Sequence, residues 1–359
     1  MNTIKSILAL CILIATVHCN DSTFVVGNGA GLFYKFDTTK QDVICINEAG
    51  NEISTLSLPC LPTSASITAV ANLAVVTGVQ AGANIIATIN LLTGSVVNIA
   101  TTATAQIVSG VRDDFVITAS GSCYNRLCLN DFSASQVTIC TPSPTKLIGL
   151  LDDNTAVVAT IGANVKIGTF RVDAFVDVSI PATINILTGT VNGAAMLAKN
   201  GYIYATTTAG KLTRYAINNL SLVVRNTINL GVSGKIQVAT DVCNNGLLTV
   251  VGSNLLGAAV SQVNLNTFVA VKLAPISINL SLLGILNINL GINLDINLGL
   301  RAAVSGNSVL LLKGNKNCCV GASGGVTCNG IIRSNDSLGS SLSSCGLINT
   351  GLNLGVSIN

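Results

Sequence analysis

Ala194-Ala-Met-Leu-Ala-Lys-Asn-Gly-Tyr-Ile-Tyr-Ala-Thr-Thr-Thr-Ala-Gly-Lys-Leu-Thr-Arg-Tyr-Ala-Ile-Asn-Asn-Leu-Ser-Leu-Val-Val-Arg-Asn-Thr-Ile228 is the stretch from which the fold is read. Apolar and β-branched runs at 194–198, 202–207, 212–217 and 222–228 are separated by Lys199-Asn200-Gly201, Ala209-Gly210 and Asn218-Asn219. Asn-Gly between such runs is a strong hairpin signal, because a type I′ turn needs positive φ at both central residues. The spacing predicts four short antiparallel strands joined in chain order.

The second strand of this unit recurs along the chain as a turn residue followed by a short β-branched run. It reads Asn72-Leu-Ala-Val-Val-Thr-Gly78, Asp114-Phe-Val-Ile-Thr-Ala-Ser120, Asn154-Thr-Ala-Val-Val-Ala-Thr-Ile-Gly162, Gly246-Leu-Leu-Thr-Val-Val-Gly252 and Asn307-Ser-Val-Leu-Leu-Leu-Lys-Gly314. The last turn residues, at 72, 114, 155, 201, 246 and 308, are 42, 41, 46, 45 and 62 apart. Leu91-Leu-Thr-Gly94, Asp131-Phe-Ser-Ala134, Val172-Asp-Ala174 and Leu265-Asn-Thr267 stand near the last hairpin of other units. The chain thus resembles the broad superfamily of repeat β-propellers, in the loose sense shared by WD-repeat and quinoprotein-like groups. It has no tryptophan, so the WD dipeptide is absent, and the resemblance implies a fold but no functional residue. We expect an all-β propeller of seven four-stranded blades; a solenoid would need repeats of about 20 to 30 residues, which are not found.

Asp21-Ser-Thr-Phe-Val-Val-Gly27 matches the second strand of the other units, so the first blade is expected to lack its innermost strand. Leu352-Asn-Leu-Gly-Val-Ser-Ile-Asn359 alternates cleanly and is the candidate to close the ring from the C-terminus. Asn287-Ile-Asn-Leu-Gly-Ile-Asn-Leu-Asp-Ile-Asn-Leu-Gly-Leu300 alternates in the same way, as an outer strand of the seventh blade or an edge that pairs between molecules.

Lys5 followed by the apolar run 7–17, with small residues before a cut after Cys19, marks 1–19 as a secretory signal peptide and 20–359 as a single secreted domain. Removing it takes away the only histidine, His18, and leaves 17 basic against 15 acidic residues. So balanced a charge provides no footprint for nucleic acid. Apolar residues are interleaved with Thr, Ser and Asn, so no stretch outside the signal reaches the roughly 20 apolar residues of a membrane span. A chain 49% hydrophobic and 9% charged fits strands buried on both faces.

Ten cysteines remain after processing: Cys45, Cys60, Cys123, Cys128, Cys140, Cys243, Cys318, Cys319, Cys328 and Cys345. An even number in a secreted chain predicts disulfides. Proximity pairs Cys45 with Cys60 and groups the four late cysteines into two bridges, with Cys318 and Cys319 not bonded to each other. The three in unit three leave one over, which reaches Cys243 or stays free. Sequons occur at Asn20, Asn219, Asn279 and Asn335; Asn20 would be the new N-terminus, and Asn219 falls in a hairpin turn where a glycan can project.

Without histidine, Ser-His-Asp and Cys-His catalysis and His-bearing zinc sites are excluded. Carboxylates remain. Asp113-Asp114 and Asp152-Asp153 occupy the same turn in successive units, where they could bind calcium or simply cap their own turns. Glu48 and Glu52 have no partner carboxylate opposite them, and Asp173 and Asp177 flank Phe175 at strand spacing, on one solvated face. No catalytic residue and no cofactor is assigned. The expected function is a non-enzymatic extracellular binding or structural protein of a matrix, coat or adhesive, meeting another extracellular protein or itself. The alternative is a calcium-dependent propeller hydrolase or lyase that uses these carboxylates.

Overall fold

The computed structural model describes residues 23–277 and 300–349 apart from short breaks, the longest at 161–164, 241–245, 321–325 and 330–337. The described chain is almost entirely β, its helical residues confined to one 3₁₀ turn, Val172–Phe175. Strands come in successive antiparallel fours over 23–57, 63–101, 107–140, 145–186, 195–229, 235–277 and 300–329. The fourth and fifth meanders share one curled eight-stranded sheet, through parallel pairing of Gly149 with Ala198.

The turn residues do what their chemistry requires. Asn200 and Gly201 sit at φ 49° and 76°, closing the two-residue hairpin between Lys199 and Tyr202. In the next hairpin but one the central pair is Asn219-Leu220, at φ 46° and 62°, between Asn218 and Ser221. A leucine in that conformation costs about 1–2 kcal/mol, which the long strand pair on either side offsets.

Burial on both faces follows from the pleat. Successive side chains of a strand point to opposite sides, so a strand between two neighbouring sheets must be apolar at every position. Ala74 and Val76 pack with Tyr34, Phe36 and Val43 of the first meander. Val75, between them, packs with Val116 and Leu127 of the third. Likewise Ala195 and Leu197 face the sixth meander while Met196 and Ala198 face the fourth. Each fully buried Val, Leu or Met among them contributes about 1.5–3 kcal/mol and each Ala less, so the core is a series of layers between sheets.

The first strands of the meanders are neighbours in chain order: Thr23–Gly27 packs against Thr63–Val70, which packs against Ile107–Arg112, and so on through Thr145–Leu150 and Ala195–Lys199 to Lys235–Thr240. Lys235–Thr240 in turn packs against Leu338–Ser344, which pairs in parallel with Leu300–Ser305, and Leu300–Ser305 packs against Thr23–Gly27. The hairpin formed by Leu338–Ser344 and Leu347–Asn349 also pairs, at Leu347, with Gly110 of the third meander. It thereby joins the third and last meanders into a ten-stranded sheet.

The expected gap at the start of the chain is not found. Thr23–Gly27 is the first of four strands, followed by Phe33–Asp37, Asp42–Ile46 and Glu52–Ser57 in one sheet, so no inner strand is missing. The resemblance to a second strand misled because a turn residue before a β-branched run marks any inward strand. The segments 278–299 and 352–359, with the alternating stripe and the expected closing strand, lie outside the described residues.

The first and last meanders meet closely. Val25, Phe33 and Ile46 form one buried cluster with Ala303, Leu310 and Cys319. Gly31 N–H donates to Ser305 Oγ at 3.0 Å, and Ser305 Oγ donates to Asn28 Oδ1 at 3.2 Å. A Cβ on Gly27 would stand 2.0 Å from the Val304 carbonyl oxygen, a backbone atom that cannot swing aside. Gly27→Ala is therefore expected to cost roughly 2–3 kcal/mol, against about 1 kcal/mol for Gly82→Ala, which has positive φ but nothing within 4 Å. Urea denaturation measures both; equal losses would contradict the close approach.

Candidate functional site

Each sheet has the fourth strand of a meander at an edge, with one side of its backbone unpaired; the sheets of the first, second and sixth meanders also end on their first strands, Thr23–Gly27, Thr63–Val70 and Lys235–Thr240, but these pack among the first strands of other meanders. Most of the exposed large apolar side chains stand on the fourth strands, the others lying in turns at Leu92, Val176, Val178 and Leu220. Val97 and Ile99 of Val96–Thr101 are 62% and 46% exposed, and Val269 and Val271 of Val269–Ser277 are 56% and 55% exposed. Val224 of Ser221–Asn229, Ile186 of Asn185–Ile186 and Ile53 of Glu52–Ser57 are exposed as well. Their two-residue spacing puts each pair on one face of its strand. Val96–Thr101 carries no charge, and Val269–Ser277 carries only Lys272, with Pro275 near its end. The alternation Val97-Asn98-Ile99 and Val269-Ala270-Val271 was visible in the sequence, but only the sheet order shows that these strands are outermost.

Among the described residues the carboxylates do not converge. Asp152 is exposed and accepts the Asn154 N–H at 2.8 Å, capping its own turn; Asp113, Asp114 and Asp153 lie outside the described residues. Among the described residues no three His, Cys, Asp or Glu side chains cluster to hold a metal ion. Asp173 and Asp177 do not share a strand face: they lie in the 3₁₀ turn and the bend after it, because the chain leaves the sheet at Val172. Asp173 pairs with Arg171 through Nε at 2.9 Å and through Nη2, which holds its carboxyl below the ordinary range. Asp177 and Asp131 each accept the N–H and hydroxyl of a serine two residues on, Ser179 and Ser133, and both carboxyls are lowered by those bonds. The Asp-x-Ser pattern is thus a capping device here.

Arginines are held on aromatic faces. Arg214 stands 4.5 Å from the Tyr202 ring and 4.8 Å from the Phe268 ring, and it donates to Asn226 Oδ1 at 2.6 Å. Arg126 stands 4.4 Å over Phe115. Both occupy the third strand, opposite the middle of the second, so the sandwich is a repeated structural device.

Of the cysteines, Cys123 and Cys140 form a disulfide with Cα atoms 4.0 Å apart. Cys45 and Cys128 are free thiols, so the expected bridge between Cys45 and Cys60 does not form. Strand register explains it: Cys45 lies opposite Tyr34 and Ser54 and faces the core between the first and second meanders. Burial pushes its pKa up, against the pull of hydrogen bonds with Tyr34 and Ser54. Cys318 and Cys328 lie on described strands, whereas Cys60, Cys243 and Cys345 lie outside the described residues. Asn219 is exposed at its hairpin tip, and Asn279 and Asn335 lie outside the described residues.

No family model and no curated protein matches the chain. Among solved structures it is similar to KlHsv2 with loop 6CD replaced by a Gly-Ser linker, at a TM-score of 0.51 and 9% identity over 83% of this chain and 92% of that one. It is also similar to PorZ, an essential bacterial surface component of the type-IX secretion system of Porphyromonas gingivalis, at a TM-score of 0.56 and 10% identity. That match covers 86% of this chain and 38% of PorZ. At such identity the likeness shows an all-β fold and nothing of activity. Among the described residues no helix is long and apolar enough to cross a membrane.

Three phenols report on the layers between sheets. Burial pushes Tyr34, Tyr124 and Tyr204 up to about 12, the last partly offset by the nearby Arg214 charge. An unfolded chain releases such protons near pH 10, so these groups contribute stability that is fully present below about pH 10 and lost as pH rises towards about 12. Alkaline titration by tyrosinate absorbance and circular dichroism should show them ionising together with loss of the sheet signal. Their complete ionisation near pH 10 with the sheets intact would contradict the layered core.

Proposed function

We propose that the chain is a seven-bladed β-propeller that acts as a secreted, non-enzymatic extracellular binding or structural protein, associating with itself or another extracellular protein through its blade edges. Support for the ring is the order of neighbours, from Thr23–Gly27 round to Leu300–Ser305 and back, with Leu338–Ser344 between the sixth and last inner strands. Support for the localisation is the signal-like segment 1–19.

The function rests on one observation, the exposed β-branched side chains on open outer strands. A long edge of low charge presents unpaired N–H and C=O groups to any extended strand, and apolar side chains on the same face add burial on docking. Val96–Thr101, Ser221–Asn229 and Val269–Ser277 have this character. The titratable side chains described above cap turns, stack on rings or lie in the core, so none is positioned to act on a substrate in concert with another. A matrix, coat or adhesive role suits such a scaffold.

Sedimentation velocity over a wide protein concentration range tests the self-associating form. Mass should grow with concentration, and Val97→Lys with Ile99→Lys, or Val269→Lys with Val271→Lys, should suppress that growth with circular dichroism unchanged. A strict monomer throughout would remove self-association and leave a heterologous partner. In a secretory host, Asn219→Gln should lower the mass by one N-linked glycan; an unchanged mass would show that this sequon is unused.

A further inference from the structure

From the strand register we infer that Cys318 and Cys328 form a second disulfide, between the same two strands of the last meander that the Cys123–Cys140 bridge joins in the third. Cys123 and Cys140 are directly opposed residues on the third and fourth strands of 107–140, and they are bonded. Cys318 and Cys328 are directly opposed residues on the third and fourth strands of 300–329, Lys316–Val320 and Val326–Asn329. Directly opposed residues of an antiparallel pair lie close enough for a bridge.

The neighbouring cysteine is accounted for otherwise. Cys319 is buried in the cluster between the first and last meanders, and its Sγ donates to the Glu48 carbonyl at 2.7 Å. Cys318 is the residue of this strand that the backbone register sets opposite Cys328, whereas Cys319 stands opposite Thr327. Hence the adjacent pair has one structural thiol and one residue in register with Cys328.

The need for a staple follows from strand length. Ile139–Cys140 has two residues and Val326–Asn329 four, so few ladder hydrogen bonds hold either to its sheet. The other short outer strand, Asn185–Ile186, is secured by the residues after it, where Thr188 N–H donates to the Leu220 carbonyl and Leu222 N–H to the Thr188 carbonyl. The longer outer strands, Glu52–Ser57, Val96–Thr101, Ser221–Asn229 and Val269–Ser277, contain no cysteine. Cysteines thus stand opposite each other where an outer strand is too short to hold itself.

Formation requires a disulfide-bearing oxidant, of the class of oxidised glutathione or an oxidised protein dithiol. One deprotonated thiol attacks a sulfur of that disulfide, the second displaces the mixed intermediate, and the oxidant leaves as two thiols with the two electrons and protons given up by Cys318 and Cys328.

Non-reducing peptide mapping of the full chain, secreted from an oxidising host and alkylated before digestion, tests the pair. Thermolysin, which cuts before Val320 and Val326, separates Cys319 from Cys328, and a linked peptide containing Cys328 and the 318–319 pair is expected. Cys319→Ser should retain that peptide, whereas Cys318→Ser should abolish it and leave Cys328 alkylated, with the Cys123–Cys140 linkage unchanged in both. If a variant fails to fold, fragmentation of the wild-type linked peptide assigns the sulfur directly. Alkylated Cys328 in the wild type, or its linkage to any other cysteine, overturns the pairing. The outcome is independent of self-association, since a stapled last meander is compatible with a monomer.

Discussion

The meeting of residues about 30 with residues about 305 is the constraint on which the remaining architecture depends. Ser305 Oγ accepts from Gly31 N–H and donates to Asn28 Oδ1, so one buried hydroxyl joins segments 274 and 277 positions apart in sequence. Val304 approaches Gly27 so closely that any side chain there would collide with its carbonyl. Cys319 Sγ adds a third link, to the Glu48 carbonyl. Such contacts carry a large loop-closure cost, growing slowly with the number of residues enclosed. That cost is offset only because each sheet between them buries both faces against the next. In the proposed ring, the polar contacts at this one junction fix which two sheets meet, while the apolar layers elsewhere supply the binding energy of the whole.

Burial on both faces also dictates where chemistry is possible. Val157 and Ala159 face one neighbour while Ala156 and Val158 face the other, so the strand has no free side on which to display a functional group. Most polar side chains inside these layers are small hydroxyls, such as Thr77, Thr206 and Ser261, beside tyrosines such as Tyr34 and Tyr204, whose pKa values burial raises. Function is thereby confined to turns and outer edges. Of these, the described acidic turns are occupied by their own backbone, as Asp131 and Asp177 show.

Much of the fold was legible in the sequence because turn chemistry and pleat periodicity are local. Asn200-Gly201 announces its hairpin, and the recurring β-branched run announces a strand, so the all-β class and the antiparallel hairpins follow. What stayed hidden is non-local. Nothing in Asp21–Gly27 distinguishes a first strand from a second, since both read as a short apolar run after polar turn residues; only pairing with Phe33–Asp37 decides it. Cys45 looked like half of a short-range bridge, yet its register with Tyr34 turns it into a core thiol. The candidate edge surface was hidden for the same reason: Val97 and Ile99 resemble core residues until the sheet order shows no strand beyond them. Asp152, at least, behaves as Asp and Asn do in any tight turn, which was the simpler of the two expectations.

The outer edges are not equivalent, and their differences give the proposed association a direction. Ile139–Cys140 is short and clamped by a disulfide, and Asn185–Ile186 is short and tied to the following meander through Thr188. Neither offers the length of backbone that strand addition requires. Val96–Thr101, Ser221–Asn229 and Val269–Ser277 do, with six, nine and nine residues and exposed β-branched side chains. Arg225 disfavours close pairing of Ser221–Asn229 with a copy of itself through like charge, whereas the charge-free Val96–Thr101 carries no such penalty. Pro275 removes one donor from Val269–Ser277, so pairing there is strongest over its first half, where Val269 and Val271 stand. Association by strand addition therefore favours the second and sixth meanders over the third and fourth.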